Sequence, residues 1–359
     1  MRDYDDDVAP TVSISPQYII NLRTAFSFRF YVIYINILAI ITLIISVKAY
    51  WKLTKSQVFS PSITHLLQAS LIYSNLHNLS YCSIETWSLY RSFVYSTNYK
   101  DIMFTSEECF VQHVFNSCSR FLLIAIELAL NFERIIAILL PRLSLRCVIR
   151  GEVLSVLSLV GSLLLGWLLH LNGPHDGVVT TSCFREYDLS INMCTTNLVS
   201  YIILASVCFL LDMFMVWYIS KQRRTKVNSS VFSCRRVFDL KSTYNQLEQY
   251  YSLLAVSLTS IVQLIFTLIY AFSLHQMSRL SLSVPGIDDA NTVRWFYTTP
   301  YTVLFIPMQL LIFMYWIGKI RRKKIEVLKN EDTTQDGYFQ KLKGSWDQPL
   351  DPKQLLYAK

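Results

Sequence analysis

Long runs of this sequence contain no Asp, Glu, Lys or Arg, and several reach the 20 or so residues that a helix needs to cross the hydrocarbon of a bilayer. Such runs, with two charge-bearing relatives, mark seven spans at about 30–47, 58–84, 110–140, 153–171, 198–219, 250–272 and 297–317. The second is the most polar, holding His65, Asn75, His77 and Asn78. The third is interrupted by Arg120, Glu127, Glu133 and Arg134, and the fifth contains Asp212. An Asn172-Gly173-Pro174 breaker ends the fourth. The fold expected is therefore an all-α membrane protein, a seven-transmembrane helix bundle over 30–317. Residues 1–29 form an N-terminal segment and 318–359 a polar tail.

Charge placement orients the bundle. Only 16% of residues are charged, against about 25% in an ordinary soluble domain. The net charge of +8 invites a nucleic-acid reading until the basic residues are located. Twenty Lys and Arg flank the connections after spans one, three, five and seven, while seven flank the opposite ends. The positive-inside rule then puts the N-terminus outside and the C-terminus in the cytoplasm. Nucleic acid is excluded as a partner, and membrane lipid takes its place.

The acids Asp3, Asp5, Asp6 and Asp7 precede no early apolar stretch, so no cleaved signal peptide is expected and span one serves as the insertion signal. In the tail, Ile320, Ile325 and Leu328 beside Arg321–Lys324 suit either a short amphipathic helix or a basic stop followed by disorder. Eight cysteines without metal spacing exclude structural zinc. With nine glycines and no Gly-rich phosphate loop, HExxH or GxSxG, a familiar soluble enzyme is not expected, nor a cofactor or metal.

The third span holds the most information. Cys109 and Arg134 stand 25 residues apart, about 37 Å along a helix, so one is outside and the other inside. In an oxidising compartment Cys109 can bridge to Cys183 or Cys194 in the loop between spans four and five. Cys183 is preferred, because Cys194 sits almost at the start of span five. At the inner end, Glu133 can hold Arg134 in a resting ion pair whose release presents a five-donor guanidinium to a partner's carbonyls. A snorkelling arginine at a helix end is the plainer reading.

Arg120, Glu127 and Arg134 follow one another at intervals of seven, along one drifting stripe of a helix. Charges at membrane depth face the bundle interior and are functional-site candidates. Glu127 and Asp212 both lie in the inner half, so Arg120, Glu127 and Asp212 are expected to form an intramembrane polar network. A simple neutralising ion pair is the alternative.

With Cys109, the run Glu133-Arg134-Ile135-Ile136-Ala137 and the segment Tyr244-Asn245-Gln246-Leu247-Glu248-Gln249, the chain resembles the nematode serpentine chemoreceptors of the Sra group, comprising Sra, Srab, Srb and Sre. In that group the third inner loop tends to end in a Tyr-Gln-x-x-Glu-Asn-like motif; Tyr244 and Glu248 match it, and Asn245 and Gln249 are substitutions. The motifs leave Srab, Sra and Sre open. Span seven reads Ile306-Pro307-Met308-Gln309-Leu310 where common rhodopsin-type receptors have Asn-Pro-x-x-Tyr, and span six lacks Cys-Trp-x-Pro.

The resemblance implies a G protein-coupled chemosensory receptor in the plasma membrane of sensory neurons, in their cilia. It would bind a small chemical from outside and activate a heterotrimeric G protein through Glu133 and Arg134. Candidate ligand-binding residues are Arg120, Trp87 and Tyr297, with Trp295 beside the last; aromatics near outer helix ends more often form an interfacial belt. The rival reading is a transporter or ion channel with a polar path through the bundle. The chain has no internal repeat and no paired Gly/Pro-broken spans to support it.

Overall fold

The computed structural model describes residues 16–55, 59–139, 148–169, 179–180, 191–232, 253–254, 256–269, 272, 295 and 297–332. A short helix α1 (Pro16–Thr24) leads into α2 (Phe26–Lys55), followed by α3 (Pro61–Val94) and the single turn α4 (Tyr99–Ile102). Strand β1 (Phe104–Thr105) runs directly into α5 (Ser106–Leu139), and α6 (Val148–Leu169) follows. After β2 (Val179–Thr180) come α7 (Ile191–Phe232), α8 (Val256–Ile269) and α9 (Thr299–Asp332).

Burial on α2 is inverted relative to a soluble helix. Tyr31, Val32, Ile35, Leu38, Thr42, Ser46, Ala49 and Leu53 recur at helical spacing and are buried, while Ile33, Ile37, Ile40, Ile41, Ile44 and Val47 lie exposed on the other face. A solvated face would be polar; this one suits only hydrocarbon. The same inversion marks α6, where Val153, Val156, Leu157, Leu164 and Leu168 point outward and Ser158 and Ser162 point inward. Among the described residues four helices, Phe26–Lys55, Arg150–Leu168, Ile202–Lys221 and Thr299–Ile320, are long and apolar enough by themselves to cross a membrane. Val256–Ile269 is a shorter apolar helix.

Small and polar side chains let the central helices approach closely, as bundles in lipid require. Ser158 Oγ on α6 donates to the Ala125 carbonyl of α5 at 3.2 Å. A Cβ on Gly151 would stand 2.5 Å from the Ser62 carbonyl oxygen, and one on Gly166 would collide with Cys118 Sγ. Both glycines are therefore required by packing rather than by backbone conformation. Helix α3 has many polar residues on its buried face, including Gln68, Ser74, His77, Asn78 and Glu85, which is why its sequence reads as the least hydrophobic span.

The chain divides into two compact units, Met1–Leu310 and Leu311–Lys359. In the second unit, α9 continues from Leu311 as a helix to Asp332, and the rings of Phe313 and Trp316 lie tilted to each other along it, 6.5 Å between centroids. The polar residues after Ile317 thus extend the last helix instead of ending it. At the other end of the chain, residues 16–24 and 26–29, expected as part of a plain N-terminal segment, are helical. Arg23 is buried there, with its guanidinium 5.0 Å from the Phe28 ring centroid.

Candidate functional site

Titratable side chains inside the first unit gather at four depths along α5. At its outer end, Arg91 of α3 donates to Glu108 at 2.8 Å and to the Met103 carbonyl, with its guanidinium over the Phe104 ring at 4.3 Å. Glu108 also accepts from the Thr105 backbone N–H at 3.2 Å. Burial raises the Glu108 pKa, but the Arg91 hydrogen bond, the Thr105 amide and the Arg91 charge together outweigh it and hold the carboxyl below its usual value. Strands β1 and β2 pair antiparallel here, Phe104 opposite Thr180 and Thr105 opposite Val179. Cys109, buried one turn into α5, is disulfide-bonded. Cys183 lies outside the described residues, and Cys194 stands in the first turn of α7.

One step deeper is a chain of hydrogen bonds that joins α3, α5 and the start of α9. Arg120 Nε donates to the Tyr297 hydroxyl at 3.2 Å, and Tyr297 meets His77 Nε2 at 2.9 Å. His77 Nδ1 meets Ser119 Oγ at 2.8 Å, and Ser119 donates to the Asn116 carbonyl at 2.8 Å. Because Ser119 spends its proton on Asn116, His77 must donate from Nδ1, which leaves Nε2 as the acceptor for the Tyr297 hydroxyl. With the imidazole neutral, every bond in the chain runs in one direction from Arg120 to Asn116. The Arg120 guanidinium also lies over the Tyr297 ring at 5.0 Å. Tyr81, which shares a 2.7 Å hydroxyl pair with Tyr31, packs its ring 4.6 Å from that of Tyr297.

The third depth is acidic. Glu127 on α5 and Asp212 on α7 interact electrostatically across the bundle, with Ser260 of α8 against both. The single Ser260 proton goes to Asp212. Asn131 and Cys208 complete the cluster, Asn131 lying beside the Asp212 carboxylate.

At the inner end, Glu133 is buried and meets Arg150 of α6 at 3.5 Å. Arg134 is also buried, and its charge acts on Asp212 as well as on Glu133.

The structure therefore separates the expected network into two layers. Arg120 joins Tyr297 and His77, whereas Glu127 and Asp212 share the layer below, two helical turns away from Arg120. Glu133 has Arg150 as its first charge partner and Arg134 as a weaker one. The aromatics also divide: Tyr297 is 1% exposed, while Trp87 is 44% exposed and stacks on Tyr90 at 5.6 Å. Trp295 lies half-buried, edge-on to Tyr31 at 5.0 Å. The segment from Tyr244 to Gln249 and the tail beyond Asp332 lie outside the described residues.

A family model described as "Serpentine type 7TM GPCR chemoreceptor Sra" matches residues 11–346. The chain belongs to the Sra family. Serpentine receptor class alpha-32 of Caenorhabditis elegans is 53% identical over 348 residues, covering 96% of this chain and 100% of that protein. Class alpha-33 of the same organism is 32% identical over 335 residues, 93% of this chain and 99% of that one. Class alpha-10 is 26% identical over 333 residues. The match shows Sra among the subfamilies that the short motifs left open, and the chain is a seven-span serpentine chemoreceptor.

In this Sra receptor the groups that sequence reasoning passed over are His77, Ser119, Asn131 and Ser260. His77 is visible in the sequence as one of two imidazoles in the second span, twelve residues from His65. Its partners come from α5 and from the residues just before α9, 42 and 220 residues away. Small hydroxyl and amide residues such as Asn131 and Ser260 carry no sequence signal, since they are ordinary at helix contacts in membranes.

Proposed function

We propose that this Sra receptor binds a small chemical from outside, next to Arg120 and Tyr297, and activates a heterotrimeric G protein inside through Glu133 and Arg134. The supporting observation is that α5 carries both ends of the path. Arg120 and Arg134 stand on one helix, 14 residues or about 21 Å apart. A ligand that competes for the Arg120 guanidinium breaks its bond to Tyr297 and so favours another packing of α3, α5 and α9. The same rigid helix transmits that shift to Arg134.

Arg134 is buried in the present packing and engages a partner only after release from Asp212 and Glu133. The orientation with the N-terminus outside rests on the basic residues at the inner loops. The chemoreceptor family supports, as part of this reading, a location in the plasma membrane of sensory cilia. For the bridge at Cys109 we favour Cys183, because the pairing of β1 with β2 brings Thr180, three residues before it, alongside Phe104.

The alternative, an ion channel or transporter, has the buried Glu127 and Asp212 in its favour. Cells expressing the receptor with an N-terminal epitope, stained unpermeabilised and exposed to panels of volatile and water-soluble chemicals, should give a second-messenger response to at least one compound. The response should vanish in cells without G proteins. A ligand-evoked current that survives their removal identifies the channel instead.

A further inference from the structure

The chain of hydrogen bonds that runs from Arg120 to the Asn116 main-chain carbonyl leaves the Asn116 side chain out. Asn116 is 5% exposed, and its Oδ1 is buried with no donor among the described residues. One turn further out on α5, Gln112 Oε1 is likewise buried and without a donor. Gln112, Asn116 and Arg120 follow at intervals of four, so they share one face of α5, with successive Cβ atoms about 5–6 Å apart. What that face looks at is fixed at its inner end, where Ser119 reaches His77 of α3 and Arg120 reaches Tyr297. Asn116 stands three residues from the first and four from the second, between their two directions and one turn nearer the outside. A buried acceptor without a donor is costly, and here two of them precede a guanidinium on one helix face.

Donor counts say what fits. Two carboxamide oxygens call for a group with at least two protons to give; an ammonium has three, a hydroxyl one and a carboxylate none. Arg120 calls for the reverse, an acceptor, and its planar fork matches a carboxylate best. Glu85, buried on α3 one turn outward of Tyr81 and within electrostatic reach of it, adds an acid on the outer side. We propose that the outer site takes a small zwitterion of the amino-acid class, with its ammonium on the Gln112 and Asn116 side-chain oxygens and its carboxylate on Arg120. This rests on the reading that the ligand binds beside Arg120 and Tyr297, and names what is bound there.

A simple carboxylic acid would leave both oxygens bare. An amine without a carboxylate would set a second cation near Arg120, and an apolar compound would satisfy none of the three. A molecule carrying both groups satisfies all of them and adds no net charge at a depth where charge is expensive. Long side chains on a helix lean towards its N-terminus, the outer end of α5, which brings the Arg120 head back towards the level of Asn116 and suits a ligand of a few carbons.

The test uses the full-length receptor in lipid nanodiscs, where binding is read without a G protein. Thermal unfolding is followed with each of the twenty common amino acids, β-alanine and 4-aminobutanoate. Any that acts is compared with three counterparts: one without the amine, one without the carboxylate, and one with a hydroxyl in place of the amine. At least one amino acid should raise Tm in a saturable way, favouring the native state about elevenfold at ten times its Kd. Each counterpart should need a concentration about tenfold higher or more. Asn116→Leu, an apolar group of similar size, should weaken the amino acid about tenfold or more while melting without it at or above the wild type. Arg120→Gln should weaken the amino acid and leave the counterpart without a carboxylate unaffected. If Asn116→Leu fails to fold, Gln112→Leu takes its place and should show the same loss. Trp87→Ala should respond as the wild type does. Stabilisation by none of the amino acids overturns the proposal, as does equal action of any counterpart, or an effect that survives both Asn116→Leu and Arg120→Gln. An apolar compound that stabilises the wild type but not Arg120→Gln overturns the zwitterion and leaves the ligand site beside Arg120 standing. An amino acid that stabilises through Asn116 and Arg120 yet evokes no second messenger in cells supports the zwitterion and overturns the coupling instead.

Discussion

Glu133 of α5 meets Arg150 of α6 at 3.5 Å, an ion pair between two helices in which the Glu133 side chain is almost wholly enclosed. Its sequence neighbour Arg134 acts on it more weakly and also faces Asp212 on α7. The acid that looked like a restraint on Arg134 is thus largely engaged in holding α6 against α5. Glu133→Gln and Arg150→Gln should each lower thermal stability. Their double-mutant cycle should return a coupling of about 1–2 kcal/mol. Additive effects would show that the pair contributes nothing.

Arg134→Ala should abolish the second-messenger response at unchanged surface level. Ligand affinity measured without G protein should stay within about twofold of the wild type, because Arg134 lies about 21 Å along α5 from Arg120. Signalling at wild-type strength would reduce Arg134 to a structural residue.

Tyr297→Phe removes one hydroxyl that accepts from Arg120 and donates to His77. Losing two buried bonds should cost about 1–3 kcal/mol, read as a lower Tm and, for an activating ligand, a shift in half-maximal concentration of about tenfold or more. Tyr297→Phe frees Arg120 for the ligand and should lower the half-maximal concentration, whereas Arg120→Gln removes the group the ligand engages and should raise it. Trp87→Ala, on the exposed stack with Tyr90, should leave potency unchanged.

The outer clamp between Arg91 and Glu108 makes stability depend on acid. Burial works against the ionised Glu108, but the Arg91 bond and the Thr105 amide prevail and lower its pKa in the fold. Its contribution is therefore complete above the unfolded-state value of about 4.3, and is lost as pH falls through the lower folded-state value. The Tm difference between wild type and Glu108→Gln should be positive at neutral pH and shrink towards zero in acid. A difference that does not change with pH would contradict the clamp.

Cys109→Ser and Cys183→Ser should lower surface expression equally, and the double variant no further, because both remove one bridge. Cys194→Ser should behave as wild type. Non-reducing peptide mapping should recover a peptide joining Cys109 to Cys183; one joining Cys109 to Cys194 would reassign the pair.

The membrane class and the number of spans were legible in the sequence. Exclusion of charge over about 20 residues is a one-dimensional property, imposed by hydrocarbon on each helix separately. The same logic singled out Arg120, Glu127, Glu133, Arg134 and Asp212, since a charge inside such a run is conspicuous by itself. Which of these meet was decided by the tertiary structure. A stripe at intervals of seven says that Arg120 and Glu127 face the same way, not what faces them. His77 and Tyr297 arrive from other helices to meet Arg120, Asp212 and Ser260 to meet Glu127, and Arg150 to meet Glu133. Helix rotation and depth set those encounters. They depend on close contacts such as Gly151 on Ser62 and Gly166 on Cys118, where the absence of a side chain sets how near two backbones come, and no pattern along a single helix encodes that distance.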